Sequence, residues 1–272
     1  SLPSDRRKPC LMDNQFDRPQ PAPATRTLIG MLTPSSNTIL EPVTAKLLLD
    51  FPGASAHFSR FTVTKISTEQ QALEQFSTLP MLEAASLLAD AKVDVICWNG
   101  TSASWLGLDR DVELCEGIKA RTGIPATSAV LSMAQAFRLF GATRVGLVTP
   151  YVDDIQNMIV GNLSSEGFDC VAEEHAGETD NFAFSLITED QIAAMVRRVA
   201  AEKPDAIAIL CTNLDGARIA ATLEKEIGIP VFDSISLSVW GCLRALGVDV
   251  KKLARWGRLF EENISAPTLG GS

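Results

Sequence analysis

Histidine and tyrosine are almost missing from this chain: 272 residues hold two His (His57 and His175) and one Tyr (Tyr151). Zinc sites draw on His and on paired Cys. None of the six cysteines stands in a Cys-x-x-Cys pair, so no metal centre is expected. A Ser-His-Asp triad needs a His beside a nucleophilic Ser, and neither His lies near a serine that follows an apolar run. Glycine-rich phosphate signatures are lacking as well. There is no Gly-x-Gly-x-x-Gly and no Walker pattern, which leaves nicotinamide, flavin and nucleoside triphosphates without support. No apolar run approaches the roughly 20 residues of a membrane span. No secretory signal is visible in the polar, Pro-containing opening. Lys and Arg total 24 against 33 Asp and Glu, a net charge of −9, so a basic nucleic-acid face is not expected. A local site can still bind an anion. Scattered cysteines fit a reducing compartment, and a cytoplasmic protein is expected.

What is present is an α/β pattern. Hydrophobic residues make up 46% and charged residues 21%, enough for a large core without disulfides. Residues 1–26 read as a flexible tail; an arm against a partner subunit is the other reading. Thr27–Thr33 reads as a strand, followed by the loop Pro34-Ser-Ser-Asn-Thr38 and a helix over about 40–49. A second strand is predicted over 56–66, a helix over 79–91, a strand over 94–98, a helix over 108–122 ended by Gly123, a short strand over 124–128, and a helix to about 140.

Then the pattern restarts. Thr143-Arg-Val-Gly-Leu-Val-Thr-Pro150 echoes Thr27-Leu-Ile-Gly-Met-Leu-Thr-Pro34. Pro204–Leu210 echoes 92–97, and Ile227-Gly-Ile-Pro230 echoes Thr122-Gly-Ile-Pro125, at offsets of about 105 to 116 residues. Two pseudo-symmetric Rossmann-like α/β lobes with mostly parallel sheets follow from this duplication, with a site in the cleft between them. The lobes are expected over 27–142 and 143–255, with 256–272 returning toward the first.

Strand ends are where such folds bind ligands. Gly100-Thr101-Ser102 offers hydroxyls and backbone N–H groups that suit a carboxylate or an enediolate, or it is a plain helix cap. Ser35, Ser36 and Asn37 after Pro34 have the same two readings. Tyr151, at the matching end in the second lobe, could donate to the same anion. Asp153 and Asp154 read as an acidic first helical turn. Cys211, followed by Thr212 and Asn213, sits at a strand end before a helix, where a thiol has a lowered pKa and some exposure. Cys97, Cys115, Cys170 and Cys242 read as inert core residues. The hydroxyls of Asp233-Ser-Ile-Ser236 have a capping role as one reading.

The duplicated layout resembles the aspartate/glutamate racemase superfamily, in its arylmalonate decarboxylase and maleate isomerase branch. The resemblance runs from about Arg26 to Phe260. Pro34-Ser-Ser-Asn-Thr38 looks like the maleate isomerase entry motif. Gly100-Thr-Ser-Ala-Ser104, Thr149-Pro-Tyr-Val-Asp-Asp154 and Gly257-Arg-Leu-Phe260 resemble the decarboxylase. Leu210-Cys-Thr-Asn213 resembles the second cysteine motif of the superfamily. Racemase-like proteins of ectoine-utilisation clusters look similar too. The resemblance implies a cofactor-independent enzyme with catalytic Cys211, an oxyanion hole of Thr101, Ser102 and Tyr151, and substrate contacts from Pro34, Ser35, Ser36, Asn37, Gly100, Thr212 and Asn213. It implies a small carboxylate or dicarboxylate substrate, with neither nucleic acid nor membrane as partner; a homo-oligomer is left open.

Two departures bear on the reaction. Gly100 stands where the racemases and maleate isomerase have their first cysteine. Thr212 and Asn213 replace the decarboxylase's small glycine pair. One cysteine serves one face of a carbon, which suits decarboxylation of a substituted malonate followed by protonation from Cys211. Two alternatives remain: an isomerase or racemase whose second group is not a cysteine, and a catalytically silent ligand-binding or regulatory homologue.

Overall fold

The computed structural model describes residues 26–69 and 74–261. Apart from Arg26, the expected tail lies outside them, as do residues 262–272. The chain builds two four-stranded, all-parallel sheets. In the first, β1 (Thr27–Pro34), β2 (Ala54–Phe61), β3 (Val95–Trp98) and β4 (Ala126–Ser128) take the order β2-β1-β3-β4. In the second, β5 (Arg144–Thr149), β6 (Asp169–His175), β7 (Ala206–Ile209) and β8 (Val231–Asp233) take the order β6-β5-β7-β8. The two orders superimpose, as the internal echo requires.

The central strands have buried residues in succession because helices cover both faces of each sheet. All four residues of β3 and all four of β7 are buried. The first lobe's helices are α1 (Leu40–Leu48), α2 (Thr78–Asp90), the single turn α3 (Ala103–Leu106), α4 (Asp109–Thr122) and α5 (Ala129–Leu139). The second lobe's are α6 (Asp153–Ser165), α7 (Glu189–Ala200), α8 (Ala217–Ile227) and α9 (Ser234–Ala245). Their ends follow ordinary capping chemistry. Helix α4 begins with Asp109 and Asp111, ends with Lys119 and Arg121, and stops at Gly123 with φ 74°. Its counterpart α8 stops at Gly228 with φ 75°. Helix α6 opens on Asp153 and Asp154 as expected. Asp233, rather than a serine hydroxyl, caps α9.

The second strand is shorter than the sequence pattern suggests. Its register with β1 ends at the pair Pro34–Phe61, beyond which β1 offers no further edge. Residues 62–66 therefore leave the sheet. Val63 N–H donates to Ser35 Oγ at 3.1 Å, and Lys65 forms an isolated antiparallel bridge with Asp180 of the second lobe.

The lobes share one hydrophobic core. Helix α9 leans across onto α5, β3 and β4 of the first lobe. A Cβ on Gly241 of α9 would fall 2.0 Å from Ser132 Oγ of α5, so the helices approach this closely only because the position is glycine. Near the C-terminus Trp256 Nε1 donates to Asp50 Oδ2 of the first lobe at 2.7 Å, and Arg258 N–H donates to Glu224 Oε2 of the second at 2.8 Å. Among the described residues no helix is long and apolar enough to cross a membrane.

Candidate active site

Four strands, two from each lobe, deliver their carboxyl ends to one place. Pro34 ends β1, the Gly100 loop follows β3, Tyr151 follows β5, and Cys211 follows β7. A cavity there is lined from both lobes by Pro34, Gly100, Thr101, Ser102, Tyr151, Cys211 and Thr212. Val63, Ile66 and Phe76 close it from the segment between β2 and α2, and Trp98, Trp105 and Asn181 complete the wall. Its free volume is about 20 Å³, room for roughly one water molecule. No Lys, Arg or His is among the lining residues described.

Tyr151 is 2% exposed, and its hydroxyl lies 2.5 Å from Thr101 Oγ1, a buried contact across the lobes. Burial first, and the neighbouring Cys211 next, push the phenol well above its ordinary pKa. It therefore stays protonated, a donor. Trp105 and Phe184 meet its ring edge-on, with centroids at 5.1 and 5.5 Å.

Cys211 differs from the sequence expectation. It is 4% exposed, and burial pushes its thiol up to about 12. The Asn213 N–H, which donates to Sγ at 3.3 Å, and the Tyr151 hydroxyl both favour the thiolate, but they do not offset the loss of solvent. The strand-end position is as expected; the lowered pKa and the exposure are not. Cys97 is fully buried within β3 and does not line the cavity. Cys242 is also buried, whereas Cys115 and Cys170 are only partly covered, so the core reading is corrected for those two. Cys10 lies outside the described residues.

Four residues expected to touch substrate do not line the cavity: Ser35, Ser36, Asn37 and Asn213. The polar atoms of Ser36, Asn37 and Asn213 tie the lobes together instead, and Ser35 ties its loop to Val63. Asn37 Oδ1 accepts from the backbone N–H groups of Ile39 and Leu40, capping the first helix, while Nδ2 donates to Thr212 O and Oγ1 at 3.1 Å. Asn213 Oδ1 accepts from Thr38 N–H at 3.0 Å and its Nδ2 donates to Asn181 O. Ser36 Oγ donates to Val63 O at 2.6 Å and accepts from Asn181 Nδ2 at 2.7 Å. Ser35 Oγ accepts from Val63 N–H. Thr212 does line the cavity, yet its hydroxyl donates to Asn99 O at 2.6 Å.

Two tryptophans were not anticipated. Trp98 and Trp105 flank the Gly100 loop, line the cavity, and carry buried indole N–H groups without a partner. Trp98 also explains Gly100. A Cβ at residue 100 would lie 2.0, 2.4 and 2.6 Å from three atoms of the Trp98 ring. The indole occupies the place where a side chain on the first-lobe loop would project. The sequence signal was there: two of the four Trp stand within five residues of Gly100.

The arrangement offers one neutral thiol, a cluster of neutral hydroxyl and indole donors, and apolar walls. Such a site can hold a carboxylate by hydrogen bonds, receive developing negative charge on its oxygens, and deliver a proton from one side.

Known proteins share this chain's family and fold. The family model for arylmalonate decarboxylase matches residues 30–260. A maleate isomerase of Nocardia farcinica is 30% identical over 233 residues, covering 82% of this chain and 91% of that protein. An arylmalonate decarboxylase of Bordetella bronchiseptica is 25% identical over 243 residues, covering 88% and 99%. Among solved structures, a Nocardia farcinica maleate cis-trans isomerase with a covalently bound succinylcysteine intermediate superimposes with a TM-score of 0.79 at 25% identity, over 86% of this chain and 98% of that one.

Proposed function

Because the chain belongs to the arylmalonate decarboxylase family, we propose that it is a cofactor-independent decarboxylase of a substituted malonate, with Cys211 as its proton donor. One carboxylate sits against Thr101, Ser102 and Tyr151. The other faces the apolar wall and leaves as CO₂; the C–C bond breaks and its electron pair stays on the α-carbon, delocalised as an enediolate. The hydroxyl cluster and the indole N–H groups stabilise that charge. The Cys211 S–H then protonates the carbon, and the thiolate recovers its proton from solvent.

The observation that carries this reading is the pairing of one buried, protonated thiol with a first-lobe loop whose side-chain space is filled by Trp98. Proton donation needs the thiol form; nucleophilic attack or α-proton removal needs the thiolate. The identity of 30% to a maleate isomerase favours a second reading, cis-trans isomerisation of a small unsaturated dicarboxylate.

One experiment separates them: phenylmalonate, methylmalonate, maleate and aspartate are incubated in D₂O and followed by NMR, with Cys211→Ala alongside. CO₂ release with one deuterium in a single enantiomer, lost in the variant, is the expected result. Maleate converting to fumarate without CO₂ release replaces the decarboxylase by the isomerase. Ligand-dependent melting shifts without turnover, unchanged in Cys211→Ala, would mean a binding homologue.

A further inference from the structure

Behind Trp98 lies a second and larger cavity, of about 250 Å³. It shares Phe76, Trp98 and Ser102 with the central one, so the two are neighbours. Met81, Leu106 and Leu114 give it an apolar side. Among the described residues its charged groups are Glu74, Asp111, Glu113 and Arg110. Arg110 and Glu113 are exposed, whereas Asp111 is 2% exposed and its Oδ2 has no hydrogen-bond partner.

A buried carboxylate oxygen left without a donor is costly unless something supplies one. The central cavity, with room for about one water, leaves none for a side chain on a bound acid. The neighbouring chamber has room for one.

We propose that this chamber binds the substrate's α-substituent, and that the substituent is an alkyl chain ending in an ammonium group whose N–H is received by Asp111. The chain passes Trp98 along the shared wall and lies against Met81, Leu106 and Leu114. Its cation sits against the buried Asp111 carboxylate. Burial raises the Asp111 carboxyl to about 7 in the free protein, with the Ser128 hydroxyl acting in the opposite direction; a cation beside it draws it back to the charged form. This rests on the reading above that a carboxylate is held among Thr101, Ser102 and Tyr151.

The test uses two acids that differ only at the far end, pentanoate and 5-aminopentanoate, with binding to the full chain measured by calorimetry. The corresponding malonates, propylmalonate and (3-aminopropyl)malonate, are assayed separately for CO₂ release. The amine acid is expected to bind roughly ten- to hundredfold tighter than pentanoate, the worth of one hydrogen bond between charged groups. Asp111→Asn closes that gap. If Asp111→Asn does not fold, Leu106→Trp, which fills the chamber, serves in its place and is expected to remove the preference. Equal constants for the two acids, no measurable binding of either, or a preference that survives the variant overturns the inference. Failure of the decarboxylase reading shows differently, as binding with the amine preference but no CO₂ from either malonate.

Discussion

Restoring a side chain at residue 100 should damage the protein before it adds any chemistry. A Cβ there meets three Trp98 ring atoms at 2.0–2.6 Å. Ordinary carbon contacts begin near 3.5 Å, so the indole must retreat by more than an ångström. It is fully buried and packed on Phe61 with centroids 5.1 Å apart, which leaves it only the neighbouring chamber. Overpacking of this kind costs about 1–3 kcal/mol. At about 2–4 °C per kcal/mol for a chain of this size, Gly100→Ala should lower Tm by roughly 2–12 °C. Trp98→Ala alone should cost about 3–5 kcal/mol through the cavity it opens. Adding Gly100→Ala on that background should cost almost nothing, a coupling of at least about 1 kcal/mol. Thermal and denaturant melts of the four proteins measure the cycle. The same logic applies to Gly100→Cys: it should give no α-proton exchange in D₂O unless Trp98 is also cut back. If Gly100→Ala is neutral, or costs the same with and without Trp98, the indole does not fill this space and the reasoning fails.

Thr101→Ala, assayed by kcat on whichever malonate turns over, should lose about two to three decades, the usual worth of an oxyanion donor; an unchanged kcat would remove Thr101 from the mechanism. With its thiol near 12, Cys211 is about one part in ten thousand thiolate at pH 8, against about a quarter for an ordinary cysteine. Iodoacetamide at pH 8 should therefore leave Cys211 intact, by mass spectrometry, long after glutathione is consumed; rapid alkylation would mean an activated thiolate. Asp111 makes stability depend on pH. Because burial raises its folded pKa from 3.8 to about 7, the folded state keeps a proton that the unfolded chain has lost. The contribution is full below about pH 4 and is lost as pH rises through 7, on the order of 4 kcal/mol in all. Urea melts between pH 5 and 8 should show a smaller decline for Asp111→Asn than for the parent; equal declines would mean that Asp111 ionises normally.

Much of the architecture was legible because it is local. Val95–Trp98 and Ala206–Ile209 are buried on both faces, so each reads as an apolar run, and the echo between halves predicts two alike sheets. The strand-end placement of Thr101, Tyr151 and Cys211 follows from the same rule. What escaped depends on distant partners. Asn37 and Asn213 have the right chemistry for an anion, but groups 175 residues away claim them. Cys211 reads as part of an exposed loop until Val63, Ile66 and Phe76 are folded over it. The Trp98–Gly100 contact lies between the two: residues i and i+2 of an extended chain share a side, so the spacing carried the information.

Among the described residues no Lys, Arg or His lines the central cavity, so a carboxylate held there as proposed would feel no long-range pull. The surrounding chain, at −9, exerts a push. Most enzymes of anions recruit their substrates through a positive field and slow down as salt is added. On the proposed function the encounter would run against the field. Salt, by shortening the reach of that repulsion to about 8–10 Å near physiological strength, is expected to quicken capture. The expected gain falls on kcat/KM, with kcat unchanged. With no cation among the described lining residues, free phosphate or sulfate would gain no electrostatic foothold there, and discrimination among anions would rest on shape and on the direction of donors.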